Sequence, residues 1–145
     1  MNAARNLIDL SGRAIVGATF IYWGGRKLVD VLGLGAPDGS GWSQYMERFG
    51  VPGALLPLVI LTELGGGILL ILGLFTRQTA IGLAGFCILA NYFFHTNFDL
   101  PPPSGHFNWI IFVKNFALAG ALLVVAASGA GEWSLDSKLR SGERA

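Results

Sequence analysis

The chain has 145 residues, of which 52% are hydrophobic and 13% are charged. A soluble domain carries about 25% charged residues, so this composition excludes an ordinary soluble globular domain. The formal net charge of +1 gives no electrostatic support for a nucleic-acid partner. The single cysteine, Cys87, excludes an intrachain disulfide, and we interpret it as a small buried apolar residue.

Four hydrophobic segments follow one another, at about 12–34, 53–74, 78–95 and 107–128. About 20 helical residues cross a hydrocarbon core of about 30 Å. We therefore predict an all-α integral membrane protein, a four-transmembrane-helix bundle that forms one domain over residues 1–145. The first segment is full length only if it includes Arg26, Lys27 and Asp30. It imitates a secretory signal but has no small-residue cleavage site, so we interpret it as an uncleaved span.

A short amphipathic helix is predicted between helices 1 and 2. Trp42, Tyr45, Met46 and Phe49 fall at i, i+3, i+4 and i+7, which is one face of a helix. The glycine and proline that follow are helix stop signals. Such a helix can lie flat in the outer membrane interface. Its aromatic face can instead pack over the mouth of the bundle, and the sequence leaves both alternatives open.

The basic residues predict the orientation of the bundle. With four spans, the N-terminus, the turn at 73–78 and the C-terminus share one side. The basic residues on that side are Arg5, Arg13, Arg77, Lys138, Arg140 and Arg144. The positive-inside rule then places both termini in the cytoplasm. Because the turn at 73–78 is so short, the second and third spans are predicted to be antiparallel neighbours.

Ionisable side chains inside a bilayer are costly and mark function by default. Glu63 lies about 15 Å into the second span and Lys114 about 10 Å into the fourth, at helical rise. Arg26, Lys27 and His95 lie toward the outer ends of their spans. We therefore predict a polar pocket that opens outward and is formed by Glu63, Lys114, Lys27, His95, Arg26 and Asn115.

Two interpretations of this pocket remain open. Glu63 can pair with Lys114 or Lys27, and the pair can bind a ligand or only fix helix register. Arg26 and Lys27 can also snorkel to the interface. A quinone head group suits the pocket, because its carbonyl oxygens need donors such as lysine, arginine or histidine. No metal site is predicted, since the spacing of the histidines matches no compact ligand pattern.

The chain resembles the DoxX family of small bacterial membrane proteins. The matching pieces are Gly12-Arg13, Gly25, Lys27, Phe49-Gly50-Val51-Pro52, Glu63-Leu64-Gly65-Gly66-Gly67, Leu72-Gly73-Leu74-Phe75-Thr76-Arg77, His95, Lys114-Asn115 and Gly129-Ala130-Gly131-Glu132-Trp133-Ser134-Leu135-Asp136. The resemblance implies a multi-pass bundle in the bacterial inner membrane and a link to redox physiology. Related proteins serve as the membrane subunit of a thiosulfate:quinone oxidoreductase or associate with thiol-handling enzymes.

The resulting functional hypothesis is a subunit or partner of a membrane redox system that is not catalytic on its own. Its expected cofactor is a quinone or similar small molecule. Its expected partners are membrane lipids and a membrane or periplasmic redox protein, and a homo-oligomer is compatible with the sequence. Two alternatives are a small-solute transporter or channel that works as an oligomer and a structural accessory subunit of a larger membrane complex.

Overall fold

The computed structural model describes residues 3–34, 41–101 and 103–142, and these residues form helices and no strands. We number six helices. α1 is Ala3–Val31 and α2 is Trp42–Arg48. α3 follows a single 3-10 turn (Gly53–Leu55) and is one continuous helix, with α-helical parts Leu56–Ile60 and Gly66–Leu72 around a π-helical turn, Leu61–Gly65. α4 is Thr76–Phe94, α5 is Ser104–Ser128 and α6 is Leu135–Gly142.

The four long helices form two packed pairs, α1 with α3 and α4 with α5. The pairs are joined by the short turn between α3 and α4, so these two helices are antiparallel neighbours, as its length predicts. Gly73 (φ 66°) and Phe75 (φ 49°) both adopt the left-handed conformation there. A glycine accepts this conformation without steric cost, whereas Phe75 is strained.

Glycines bring α1 and α3 into close contact. A Cβ atom on Gly17 would lie 2.7 Å from the carbonyl oxygen of Gly67, and a Cβ on Gly67 would lie 2.7 Å from that of Gly17. Seven residues further along α1, about two helical turns, a Cβ on Gly24 would lie 2.8 Å from the backbone nitrogen of Leu64. Backbones can approach this closely only where side chains are absent. Within the glycine run of α3, the tightest backbone contact is at Gly67.

The core is small and the outer surface is apolar. The main cluster of buried residues is Phe20, Leu70, Ala80, Leu83, Ala84, Cys87, Ala119 and Leu122. Large apolar side chains such as Ile15, Tyr92 and Val124 are instead mostly exposed. Two helical stretches, Gly53–Leu72 and Ser104–Ser128, are long and apolar enough to cross a membrane by length and composition. An apolar exterior around a small core suits a lipid solvent better than water.

A buried arginine closes the end of the bundle at which α3 and α4 are joined. Arg13 is 1% exposed. Its guanidinium donates to the carbonyl oxygens of Leu70 (3.1 Å), Ile71 (3.0 Å) and Trp133 (2.7 Å). It therefore donates to carbonyls in the last turn of α3, where intrahelical partners run out, and ties them to the segment after α5.

Asp136 fixes the neighbouring helix start. Its carboxylate accepts from the backbone N–H groups of Phe75 (2.8 Å) and Thr76 (2.9 Å), at the positive end of the α4 dipole. Burial alone would raise the pKa of Asp136, but the hydrogen bonds from Thr76 and Phe75 outweigh it and lower the pKa. Together, Arg13 and Asp136 make the C-terminal segment part of the bundle.

Candidate functional site

The centre of the site is an ion pair between α1 and α3. The ammonium of Lys27 lies 2.8 Å from Oε1 and 2.6 Å from Oε2 of Glu63. The two side chains are only 12% and 7% exposed. The sequence left the partner of Glu63 open between Lys114 and Lys27, and the structure pairs it with Lys27. Two of the three ammonium hydrogens are used in this contact, so one donor remains.

Local backbone geometry places Glu63 toward α1. Glu63 lies in the π-helical turn of α3, and such turns insert one extra residue and are frequent at functional sites. Gly24 faces this turn, and a Cβ atom there would lie 3.0 Å from the Cβ of Glu63. A larger residue at position 24 would push the helices apart at the ion pair. Gly24 and the π turn therefore set the short distance between the two charges.

Helix α2 covers the Lys27–Glu63 ion pair at the end of the bundle opposite Arg13. The ring of Trp42 lies 4.8 Å from the Lys27 ammonium, which is a favourable cation–π distance. Asp30 accepts from the backbone N–H of Trp42 (3.0 Å) and so holds the start of α2 against α1. Glu63 and Trp42 thus both contact the same ammonium, and the cation is paired although it is largely buried.

The aromatic face of α2 packs on the end of α4 as well. Tyr45 stacks on Phe94 with ring centroids 5.7 Å apart, and Phe49 meets the same ring edge-on at 5.5 Å. Met46 is buried. Of the two alternatives for this face, the structure has the one in which it packs over the mouth. Burial raises the pKa of the Tyr45 phenol, so its hydroxyl stays a neutral hydrogen-bonding group.

The opposite wall is formed by α4 and α5 and carries a second amine. Lys114 is exposed, and its ammonium lies 5.6 Å from the ring centroid of Trp23 on α1. Within the described residues, no carboxylate forms a salt bridge with Lys114. Its hydrogen-bond donors are therefore available to a ligand. The sequence predicted Lys114 as a pocket residue but gave no sign of its contact with Trp23.

Asparagines join α4 to α5 beside this amine. Asn91 is buried and donates to the carbonyl oxygen of Phe112 (2.8 Å), while Asn115 donates to Oδ1 of Asn91 (2.9 Å). His95 follows α4, and its buried Nδ1 has no hydrogen-bond partner in the described part of the chain.

A cavity of about 820 Å³ lies between the two helix pairs and beneath α2. Most of its walls are apolar. The residues of the predicted pocket that line it are Lys27, Glu63, His95, Lys114 and Asn115. Arg26 does not line the cavity and is exposed on the outside of α1, because it lies one residue, and so about a quarter of a turn, away from Lys27. The volume is in the range of small-molecule sites.

Sequence reasoning missed three contributors to this cavity. Trp23 and Trp42 line it beside the two lysines, and Cys87 lines it as well. The aromatic stripe of α2 was the available signal for Trp42, whereas nothing in the sequence marked Trp23. Among the described residues, no group of three or more histidine, cysteine, aspartate or glutamate side chains could hold a metal ion.

The described residues form helices with an apolar exterior, close glycine contacts and a largely apolar cavity that holds a buried ion pair. This is the architecture of a membrane protein. The family model described as DoxX matches residues 8–96. The inner membrane protein YqjF of Escherichia coli (strain K12) is 44% identical over 100 residues, which cover 69% of this chain and 73% of that protein. The inner membrane protein YphA of the same strain is 32% identical over 138 residues, covering 94% of this chain and 93% of that protein. No solved structure matches the chain significantly. The chain belongs to the DoxX family.

Proposed function

We propose that this chain is a multi-pass protein of the bacterial inner membrane, with α1, α3, α4 and α5 as its four spans and both termini in the cytoplasm. The names of the two relatives, as inner membrane proteins, support this location. The distribution of exposed cations supports the orientation. Arg5, Arg77, Lys138 and Arg140 are exposed at the end closed by Arg13, and Arg26 and Arg48 toward the other. The end with more exposed cations is expected inside.

The orientation is tested by reporter fusion. A reporter that is active only in the cytoplasm should work when it is fused after the last residue of the chain and fail when it is inserted at Ser104, before α5. Activity at Ser104 and silence at the C-terminus would reverse the orientation, and the cavity would then open toward the cytoplasm.

The cavity is proposed to bind the head group of a quinone or a similar small molecule. The observation that carries this proposal is the apolar cavity of about 820 Å³ with two lysine amines on facing walls. The charges of Lys27 and Glu63 cancel, so Lys114 leaves one positive charge beside the cavity. Electron-rich carbonyl oxygens are the ligand atoms that such donors favour. The apolar walls accept the flat ring of a quinone.

The residues have separate roles in this proposal. Lys114 donates to one carbonyl oxygen, and the remaining ammonium hydrogen of Lys27 is available to another. The Trp42 ring keeps the amine of Lys27 covered, and the Asn91–Asn115 hydrogen bond holds the backbone of α5 beside Lys114. A bound quinone supplies two-electron transfer. This chain therefore acts as a binding subunit or partner of a membrane redox system rather than as a complete enzyme.

Titration of a quinone against the purified protein in lipid nanodiscs tests the proposal. Trp23 and Trp42 line the cavity, so a bound quinone should quench tryptophan fluorescence saturably. Lys114→Met should weaken binding by about tenfold or more, because a hydrogen bond to a charged donor contributes about 1.5–3 kcal/mol. Arg26→Met removes a cation outside the cavity and is the matched control.

Three outcomes would overturn the quinone proposal. The first is quenching without saturation, and the second is an equal effect of Lys114→Met and Arg26→Met. The third is solute uptake into liposomes with no quinone binding, which would favour the transporter alternative. A protein that binds neither and only co-purifies with a stoichiometric partner would be a structural accessory subunit.

A further inference from the structure

The cavity continues to the outer surface between α3 and α4. Leu55 in the 3-10 turn, Leu58 of α3, and Ile81 and Leu89 of α4 all line the cavity, and yet 43–59% of each residue is exposed. We interpret these residues as the rim of an opening. The side chains at this rim are aliphatic, so the opening suits an apolar medium such as lipid.

Two glycines widen the opening on the α4 side. Gly82 and Gly85 line the cavity, and a Cβ atom on either would have nothing within 4 Å. Between these two glycines in the sequence, the buried Leu83 packs against α3, 2.8 Å from a Cβ on Gly66. Above them the stacked rings of α2 and α4 close the cavity. We call this opening between α3 and α4 the window. The residues of α4 that border it, from 81 to 93, span about 18 Å at helical rise.

The other gap between the helix pairs has a different chemistry. Between α1 and α5 the ammonium of Lys114 lies over the Trp23 ring, so a charged contact bridges that gap. The mouth of the bundle is covered by α2. The window between α3 and α4 is therefore the apolar connection between the charged interior and the surroundings of the helices.

We propose that the occupant of the cavity is a tailed amphiphile whose polar head lies among Lys27, Glu63 and Lys114 and whose single apolar tail leaves through the window between α3 and α4 into the lipid. This inference rests on the proposed function and deepens it: the ligand is an isoprenoid quinone rather than a water-soluble one. A tail in this position stays in an apolar medium throughout binding, so it pays no desolvation penalty. The space beside Gly82 and Gly85 in the window is where the tail passes.

Filling the space beside Gly85 with a larger side chain tests the proposed path of the tail. Gly85→Phe places a ring in the window, and Gly120→Phe is the matched control, since Gly120 is also helical and exposed, has nothing within 4 Å of a Cβ, and lies away from the cavity. Binding of an isoprenoid benzoquinone and of its tail-less head-group analogue is measured by tryptophan quenching in nanodiscs. Gly85→Phe should weaken the tailed quinone by about tenfold, which corresponds to about 1.4 kcal/mol, and leave the tail-less analogue unchanged. Gly120→Phe should change neither.

A second measurement needs no substitution at a glycine and covers the case in which Gly85→Phe fails to fold. A quinone with a photoreactive diazirine on its tail should crosslink to peptides that contain Leu58 or Leu89, and not to the exposed α5 residues Leu123 and Val124. Equal effects of the two phenylalanine variants on the tailed quinone, or crosslinks spread evenly over α5, would overturn the tail path while leaving head-group binding intact. Failure of both quinones to bind the wild-type protein would instead refute the proposed function, and the tail path with it.

Discussion

The Lys27–Glu63 pair gives the sharpest test of how the two halves of the site depend on each other. Glu63→Gln leaves the Lys27 ammonium beside Trp42 without its carboxylate. The ammonium is largely enclosed, with 12% of the side chain exposed. Breaking a buried pair by removing one partner costs about 3–5 kcal/mol, and we expect a loss of that size in the free energy of unfolding. Lys27→Met should be similar, because it strands the carboxylate.

The double variant Lys27→Met/Glu63→Gln removes both charges and should be milder than the sum of the single changes. Residues in direct contact couple by about 0.5–3 kcal/mol, and a bidentate contact at 2.6 and 2.8 Å belongs at the upper end of that range. Lys114 contacts Trp23 rather than Glu63. Glu63→Gln with Lys114→Met should therefore be additive to within about 0.5 kcal/mol.

The assay is reversible unfolding in mixed micelles, followed by far-UV circular dichroism and tryptophan fluorescence. Arg26→Met, at the neighbouring exposed position, should change the free energy of unfolding by less than about 0.5 kcal/mol. Additive effects of Lys27→Met and Glu63→Gln on the free energy of unfolding would refute the buried ion pair. Strong coupling between Lys114→Met and Glu63→Gln would mean that the two helix pairs approach each other more closely than the cavity between them allows.

Three further outcomes are expected from the closed end and the helix contacts. Arg13→Met should lower the free energy of unfolding by at least about 3 kcal/mol, because three carbonyl oxygens lose a charged donor; an unchanged melting temperature would contradict this. Gly67→Ala should destabilise more than Gly66→Ala, since its Cβ meets the backbone of α1 whereas that of Gly66 meets a flexible leucine side chain, and equal melting temperatures would contradict it. Because the folded-state pKa of Asp136 is lowered, its contribution to stability is present above the ordinary carboxylate pKa and is lost as the pH falls through the folded value. Asp136→Asn should therefore flatten the acid limb of a stability–pH curve below the ordinary carboxylate pKa, and an unchanged limb would exclude this role.

Much of the architecture could be predicted because hydrophobic length and turn length are local properties. The tight turn after Leu72 could be read directly, and so could the aromatic face of α2. Depth along a helix also follows from counting residues, so Glu63, Lys27 and Lys114 were placed in one half of the bundle. Rotation about the helix axis is not local, because it depends on how neighbouring helices pack.

This difference explains the points that the sequence left open. Depth alone did not distinguish Lys27 from Lys114 as the partner of Glu63. The π-helical turn at 61–65 changes which residues of α3 face α1, and no sequence signal marked it. Arg26 was grouped with Lys27 by depth, although consecutive helical residues point in different directions. Arg13 was interpreted as one of several basic residues near the inner surface, and its hydrogen bonds to distant carbonyls follow only from the tertiary structure.

The bonds of Arg13 also have a consequence for biosynthesis. One of its acceptors, the carbonyl oxygen of Trp133, lies 120 residues later in the chain. At about 5–20 residues per second, a ribosome needs about 6–24 s to make that stretch. Until then the guanidinium of Arg13 lacks one of its three carbonyl acceptors. A nascent or truncated chain that lacks the segment after α5 therefore holds this cation with one acceptor fewer than the finished protein.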